Sequence, residues 1–105
     1  MKIWFNEQDI IDSACVFGAH TYNEDIQDIK AELHHEEGKG ISATLKIQKD
    51  QRTYELSEQD IIDASAIYLE EYHKFDPNQL LIQLLFEETN GFSAEIEFLS
   101  SQTVV

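Results

Sequence analysis

The residues best suited to chemistry are a run of two histidines and two glutamates, His34, His35, Glu36 and Glu37. Imidazole and carboxylate groups together are ligands for zinc, iron or nickel. The run continues a segment that alternates apolar and polar residues, which indicates a β-strand, and adjacent strand residues point to opposite faces. His34 and His35 therefore cannot both bind one ion from a regular strand. We predict a polar strand end with no metal and no cofactor.

The other reactive side chains also favour structural roles over catalysis. Cys15, the only cysteine, falls on the apolar stripe of a predicted helix, which predicts a buried core residue. A catalytic thiol needs exposure and a nearby cation, whereas the surroundings of Cys15 are acidic. Carboxylate pairs such as Asp9 and Asp12 are expected on the solvent side of the same helix. Since the sequence also lacks a glycine-rich phosphate loop, a nucleophile elbow and calcium-loop spacing, we expect no catalytic residue and no enzymatic activity.

The elements that carry these residues occur twice in the chain. Residues 7–12, Glu-Gln-Asp-Ile-Ile-Asp, return unchanged as residues 58–63, and the register continues without a gap to residues 47 and 98. Of the 41 pairs in this register, 13 are identical. Self-similarity at a fixed spacing indicates a duplicated structural unit. We predict a single domain, residues 1–105, built from two tandem repeats at about 1–50 and 51–105.

Each repeat is predicted to begin with a short strand and a capped helix. Asn6 and Ser57 are good N-cap residues, and an acidic residue follows three positions later in both repeats, close to the capping-box pattern. Apolar residues then recur at helical spacing, which predicts amphipathic helices at 7–22 and 58–73. The second helix is expected to end near Lys74, because Asp76-Pro77 cannot continue it.

Two alternating segments follow the helix in each repeat. Their period of two predicts half-buried antiparallel strands, and glycines in the joins at 37–40 and 88–91 predict hairpin turns. The order of elements is therefore βαββ, twice. We predict an α+β fold in which two helices pack on one face of a mostly antiparallel six-stranded sheet, with the strand order 2-3-4-1-6-5.

Three apolar residues do not fit the buried pattern: Trp4, Leu81 and Leu85. Phe5 and Ile10 have the spacing of a hydrophobic staple, which turns Phe5 inward and therefore Trp4 outward. Exposed apolar residues on a small protein usually mark an interaction site. Trp4, Leu81 and Leu85 are the candidate interaction surface, for a protein partner or for a second copy in a homodimer. The alternative is that they belong to a hydrophobic strand that lies at a sheet edge or is covered by the C-terminal tail.

The charge restricts partners and location. The 105 residues carry 21 acidic and 7 basic side chains, a formal charge of −14. A field of that sign repels nucleic acid phosphates and anionic lipids, so neither nucleic acid nor membrane is expected as a partner. No segment approaches the roughly 20 apolar residues of a membrane span, and we expect no signal peptide, because an acidic residue at position 7 precedes any apolar run. A single cysteine suits a reducing compartment, and we expect a cytoplasmic protein.

Two segments of the first repeat carry a family resemblance. They are residues 2–11, Lys-Ile-Trp-Phe-Asn-Glu-Gln-Asp-Ile-Ile, and the start of a predicted strand at residues 40–43, Gly-Ile-Ser-Ala. Together they resemble the YxcD-like family of small bacterial proteins of unknown function. The resemblance covers most of the first repeat and, more loosely, the second. It implies a bacterial cytoplasmic protein, and it supplies no active site that could be transferred to positions in this chain.

Three hypotheses about function follow. The first is a non-enzymatic protein-interaction module, which could self-associate through its exposed apolar residues. The second is an inhibitor or immunity-type protein whose acidic surface binds a basic partner. The third is a metal-binding or small-ligand-binding protein that uses the first hairpin.

We predict no salt-sensitive binding to DNA or RNA, because acidic side chains outnumber basic ones by 21 to 7 and no basic stripe can neutralise many phosphates. Gel-shift titrations with single- and double-stranded DNA and with RNA, at micromolar protein, measure this. A retarded band that disappears as salt is raised would contradict the prediction.

Overall fold

The computed structural model describes residues 2–99. Met1 and residues 100–105 lie outside the described residues. The ends of the two predicted repeats, and the C-terminal tail that was the alternative cover for the apolar residues, fall partly in that range. Each repeat contains the same elements in the same order. The first contains β1 (Lys2–Phe5), α1 (Glu7–Tyr22), β2 (Ile29–Glu36) and β3 (Gly40–Ile47). The second contains β4 (Thr53–Leu56), α2 (Glu58–His73), β5 (Leu80–Glu87) and β6 (Gly91–Phe98). Corresponding boundaries keep the same spacing throughout, so the predicted α+β class and the duplicated βαββ unit are confirmed.

The six strands in the described part of the chain form two antiparallel sheets, in the orders β1-β6-β5 and β2-β3-β4. These are the two halves of the predicted order, but β4 and β1 are not hydrogen-bonded to each other. The expected six-stranded sheet is thus corrected to two three-stranded sheets. Alternation in a sequence determines which face a side chain takes, but it does not determine whether two short edge strands meet.

The first strand of each repeat pairs with a strand that lies across the repeat boundary in the sequence. β1 pairs with β6, with Phe5 opposite Ala94, and β4 pairs with β3, with Leu56 opposite Ala43. A strand without such a partner would leave a row of N–H and C=O groups unpaired. Neither repeat therefore completes a three-stranded sheet by itself, and this strand exchange joins the two repeats reciprocally.

Both helices begin at the predicted capping boxes. Asn6 Oδ1 accepts the N–H of Asp9 at 2.8 Å, and Asp9 Oδ2 accepts the N–H of Asn6 at 2.9 Å. Ser57 and Asp60 repeat the pair at 3.1 and 2.9 Å. The second helix ends at His73 with Lys74 as its C-cap, which agrees with the predicted end near Lys74. Among residues 2–99, no helix is long and apolar enough to cross a membrane.

One hydrophobic core contains residues of both repeats. Its most buried large side chains are Ile10, Leu45, Ile47, Leu56, Ile61, Leu69 and Ile96. One polar residue of α1, Ser13, is fully buried beside this core. Its hydroxyl donates to the carbonyl of Asp9 at 2.9 Å, which satisfies the buried group.

A second reciprocal link uses the first residue of each helix. Glu58 Oε1 accepts the N–H of Ile41 at the start of β3, at 2.9 Å. Glu7 Oε1 accepts the N–H of Phe92 at the start of β6, at 3.3 Å. The helix of each repeat is thus tied to the second hairpin strand of the other.

The glycines that precede these two strand positions make the link possible. Gly40 and Gly91 have φ values of +90° and +76°, in the region that L side chains rarely adopt. A Cβ at Gly40 would lie 2.5 Å from Glu58 Oε1, and one at Gly91 would lie 2.7 Å from Glu7 Oε1. Any larger residue would therefore push the glutamate away from its backbone N–H.

Gly40→Ala is expected to destabilise the protein more than Gly38→Ala, a control in the same turn. Gly38 also has positive φ, +85°, but a Cβ added there would meet no other described atom within 4 Å, so its substitution costs only the backbone strain. That strain is about 1 kcal/mol, and Gly40→Ala should cost about 1 kcal/mol more because the Glu58 hydrogen bond is lost. Urea unfolding measures both.

The same comparison in a Glu58→Ala background isolates the hydrogen bond. There the difference between the two glycine variants should disappear, because no carboxylate remains to be displaced. Equal losses from Gly38→Ala and Gly40→Ala in the wild-type background would contradict the role of this link.

Candidate functional site

Trp4, Leu81 and Leu85 lie on the face of the β1-β6-β5 sheet that the helices do not cover, called here the open face. Trp4 lies opposite Glu95, while Leu81 and Leu85 lie opposite Glu97 and Ser93. Trp4 is 58% exposed and Leu81 is 53% exposed, whereas Leu85 is half-buried. The three residues therefore share a face, and their role in binding stays a prediction.

The apolar side chains of the open face do not form one continuous patch. Trp4 lies on β1 and the leucines on β5, and the central strand β6 presents Glu95 and Glu97 between them. Lys2 Nζ binds Glu95 Oε2 at 2.7 Å, and this hydrogen bond, followed by the charge of Glu95, raises the pKa of Lys2. On the open face, an acidic row therefore separates Trp4 on one side from Leu81 and Leu85 on the other.

The histidine run divides between the two faces of β2. On one face, His34 Nε2 lies 3.0 Å from Thr44 Oγ1, which in turn donates to Glu55 Oε1 at 2.9 Å. His35 stacks instead on Phe86, its equivalent in the second repeat, with ring centroids 4.3 Å apart. No three or more histidine, cysteine or acidic residues between residues 2 and 99 are grouped to hold a metal ion. The run therefore supplies surface hydrogen bonds and a contact between repeats.

The helix layer contains a groove, called here the helix groove, that the sequence did not predict. Two adjoining cavities of about 350 and 290 Å³ share Val16, Ile26 and Tyr72. The first is also lined by Asp12, Cys15 and Tyr68, and the second by Ala19, His20 and Glu71. The available signal was Val16, an apolar residue whose helical position is off the buried stripe. The groove itself needs two helices and the 3-10 turn Ile26–Asp28, which no local pattern brings together.

Asp12 influences two titratable groups in the helix groove. Burial, and next the charge of Asp12, raises the pKa of the Tyr68 phenol; Asp9 adds to the effect. Burial, again followed by Asp12, raises the pKa of the Cys15 thiol. Cys15 was expected to be buried but is half-buried at the groove wall. Thiol and phenol are both uncharged at neutral pH, so the carboxylates dominate the charge of the groove.

Comparison with known proteins shows the family. The profile of a family described as "Protein of unknown function (DUF2653)" matches the chain over residues 1–55 and again over residues 51–105. The chain belongs to the DUF2653 family. It is 32% identical over 97 residues to "Uncharacterized protein YxcD" of Bacillus subtilis (strain 168), across 90% of this chain and 91% of that protein. The resemblance to YxcD-like proteins is confirmed, and no solved structure matches the chain significantly.

Residues that the two repeats of this DUF2653 protein share have structural roles. Besides the caps and the reciprocal glutamates, Gln8 donates to Asp12 and Gln59 donates to Asp63, both at 2.9 Å. The tyrosines of the helix groove are different. At the positions equivalent to Tyr68 and Tyr72, the first repeat has Phe17 and Thr21. The Tyr68 hydroxyl and the Tyr72 ring are therefore features of one repeat, whereas the Tyr68 ring has an aromatic counterpart in Phe17.

The Cys15 thiol is expected to alkylate slowly at neutral pH, because its raised pKa leaves less of the reactive thiolate. The midpoint of its pH–rate curve should lie above that of free cysteine, about 8.5. Asp12→Asn removes the nearby negative charge, lowers the thiol pKa and should accelerate alkylation by iodoacetamide by a few-fold at mildly alkaline pH.

Asp63→Asn is the matched control for this experiment. It makes the same charge change at the equivalent position of α2, where Gln59 makes the same hydrogen bond but Ala66 stands in place of the cysteine. Equal acceleration by both substitutions would show that total charge, rather than Asp12, controls the thiol.

Proposed function

We propose that the protein is a non-enzymatic protein-interaction module that binds a basic protein partner through the open face. The exposure of Trp4 on this face supports the proposal most directly. Burying a tryptophan removes about 150–250 Å² from water, and tryptophan is enriched among residues that dominate binding energy. Trp4 is the chain's single tryptophan, so its fluorescence reports on the open face alone.

The charges around Trp4 support a basic partner. Glu95 and Glu97 lie in the row between Trp4 and Leu81, and Lys2 offsets one of them. A partner that presents cationic side chains between two apolar groups would match both features of the open face. The overall charge of −14 would also accelerate its association, because opposite fields steer encounters.

The same charge distinguishes this proposal from self-association. Two copies carrying −14 each repel one another, so a homodimer should strengthen as salt screens the repulsion. Binding to a basic partner should weaken as salt is added. Neither nucleic acid nor an anionic membrane fits a surface of this sign, and we propose that the protein acts in the cytoplasm.

The first test is the oligomeric state. Sedimentation velocity at about 50 and about 500 mM salt, conditions that change the Debye length threefold, should show a monomer in both, with Trp4 emission typical of a solvent-exposed indole. A dimer that strengthens at high salt and is lost in Trp4→Ser would replace the basic partner with a second copy.

The second test compares capture from a lysate of the native host by three baits. Wild type and Gln48→Ser, which alters an exposed residue of the turn after β3 and lies outside both candidate sites, should retain the same protein, and Trp4→Ser should not. The purified captured protein should shift Trp4 emission to shorter wavelength, and salt should reverse the shift. Retention by Trp4→Ser equal to wild type would refute the open face as the binding surface.

A further inference from the structure

We propose that the helix groove binds the guanidinium group of an arginine side chain presented by a protein partner. Its lining residues belong to α1, α2 and the turn at Ile26, whereas the open face is built from strands. It is therefore a second site, separate from the open face. Three observations carry the proposal: two tyrosine rings at one wall, carboxylates at both ends, and apolar side chains between them.

The tyrosine wall is suited to stacking against a planar cation. The ring centroids of Tyr68 and Tyr72 lie 5.0 Å apart with an interplanar angle of 36°. Tyr68 is held in place by an edge-on contact with the buried Phe5, at 6.0 Å and 88°. Tyr72 is 58% exposed, so much of its surface is available to a ligand. Aromatic faces attract cations, and guanidinium stacks on them better than ammonium does.

The charges of the groove select a cation. Asp12 lies at one end and Glu71 at the other, and among the described residues neither cavity has a lysine or arginine in its lining. Gln8 donates to Asp12 Oδ1 at 2.9 Å, which orients that carboxylate. Glu71 lies 3.7 Å from His20 Nε2, a contact that spans the two helices. An anionic ligand would meet carboxylates at both ends, whereas a guanidinium has five N–H donors that a carboxylate can accept.

The apolar residues of the groove suit the stem of an arginine side chain. Val16 and Ile26 line both cavities, and Ile26 is 44% exposed. Arginine buries its methylene groups along apolar surface while its charged end reaches a polar partner. The groove is open along its length, so it suits a side chain projecting from another protein more than a small molecule that must be enclosed.

The test is an NMR titration of the full-length protein with N-acetyl-L-arginine amide. N-acetyl-L-citrulline amide is the matched control ligand, because it has nearly the same shape and no charge. Arginine amide should shift amide signals of residues in the helix groove, with a Kd on the order of 10 mM, as expected for one cation–π contact and one exposed ion pair. Citrulline amide should produce no such shifts.

The repeat supplies a matched control variant. Asp12→Asn should weaken arginine-amide binding by about fivefold, the effect of one partly exposed charge pair. Asp63→Asn changes the total charge equally at the equivalent position of α2 and should leave the affinity unchanged. Tyr72→Ala should also weaken binding, whereas Tyr72→Phe keeps the ring and should retain it.

Three outcomes would overturn the proposal. Equal shifts with citrulline amide, or equal losses in Asp12→Asn and Asp63→Asn, would show that no guanidinium site exists in the helix groove. Saturable binding of spermidine without binding of arginine amide would assign the groove to a free polyamine instead. Trp4→Ser should bind arginine amide normally, so failure of the open-face proposal and failure of this one are distinguishable.

Discussion

The fold depends on the exchange of first strands between the two repeats. β1 completes the sheet of the second hairpin, and β4 completes the sheet of the first. Because each helix follows its strand directly, the exchange also carries the start of each helix toward the opposite repeat. Glu7 and Glu58 can then reach backbone N–H groups of the other repeat, and Gly40 and Gly91 leave the space that they require. Cooperative stability across the chain follows from this arrangement, since unfolding either repeat leaves strands of the other unpaired.

Much of the secondary structure could be predicted because its causes are local. The caps at Asn6 and Ser57, the C-cap of α2 at Lys74 and the alternation of the strands depend on residues a few positions apart. The division into two sheets could not be predicted, since it depends on whether β4 and β1 meet. The hydrogen bond between Glu7 and Phe92 joins residues 85 positions apart. In the sequence, Glu7 therefore indicates only a negative charge that stabilises the N-terminus of a helix. Trp4 could be found from alternation, whereas the helix groove exists only once two helices and a turn are packed.

The candidate sites lie where the two repeats differ. Trp4 and Leu81 have Glu55 and Lys30 as equivalents, and Tyr72 has Thr21. The shared residues hold the caps, the core and the links between repeats, whereas these unmatched residues are exposed and not needed by the framework. A duplicated fold thus allows one copy of a position to remain structural while the other acquires a binding role. Both proposed sites thus include exposed side chains that only one repeat carries.

The stack of His35 on Phe86 shows what the joining of two repeats in one chain permits. The reciprocal strand pairs and glutamate contacts relate the repeats by an approximate twofold axis, and equivalent residues that touch each other lie close to it. In a homodimer of two single-repeat chains, a residue at the twofold axis would contact the same residue of the other chain. Every mutation at that position would then change both contacting residues at once. Within one chain the two positions are encoded separately, so an imidazole can face a phenyl ring where the repeats meet.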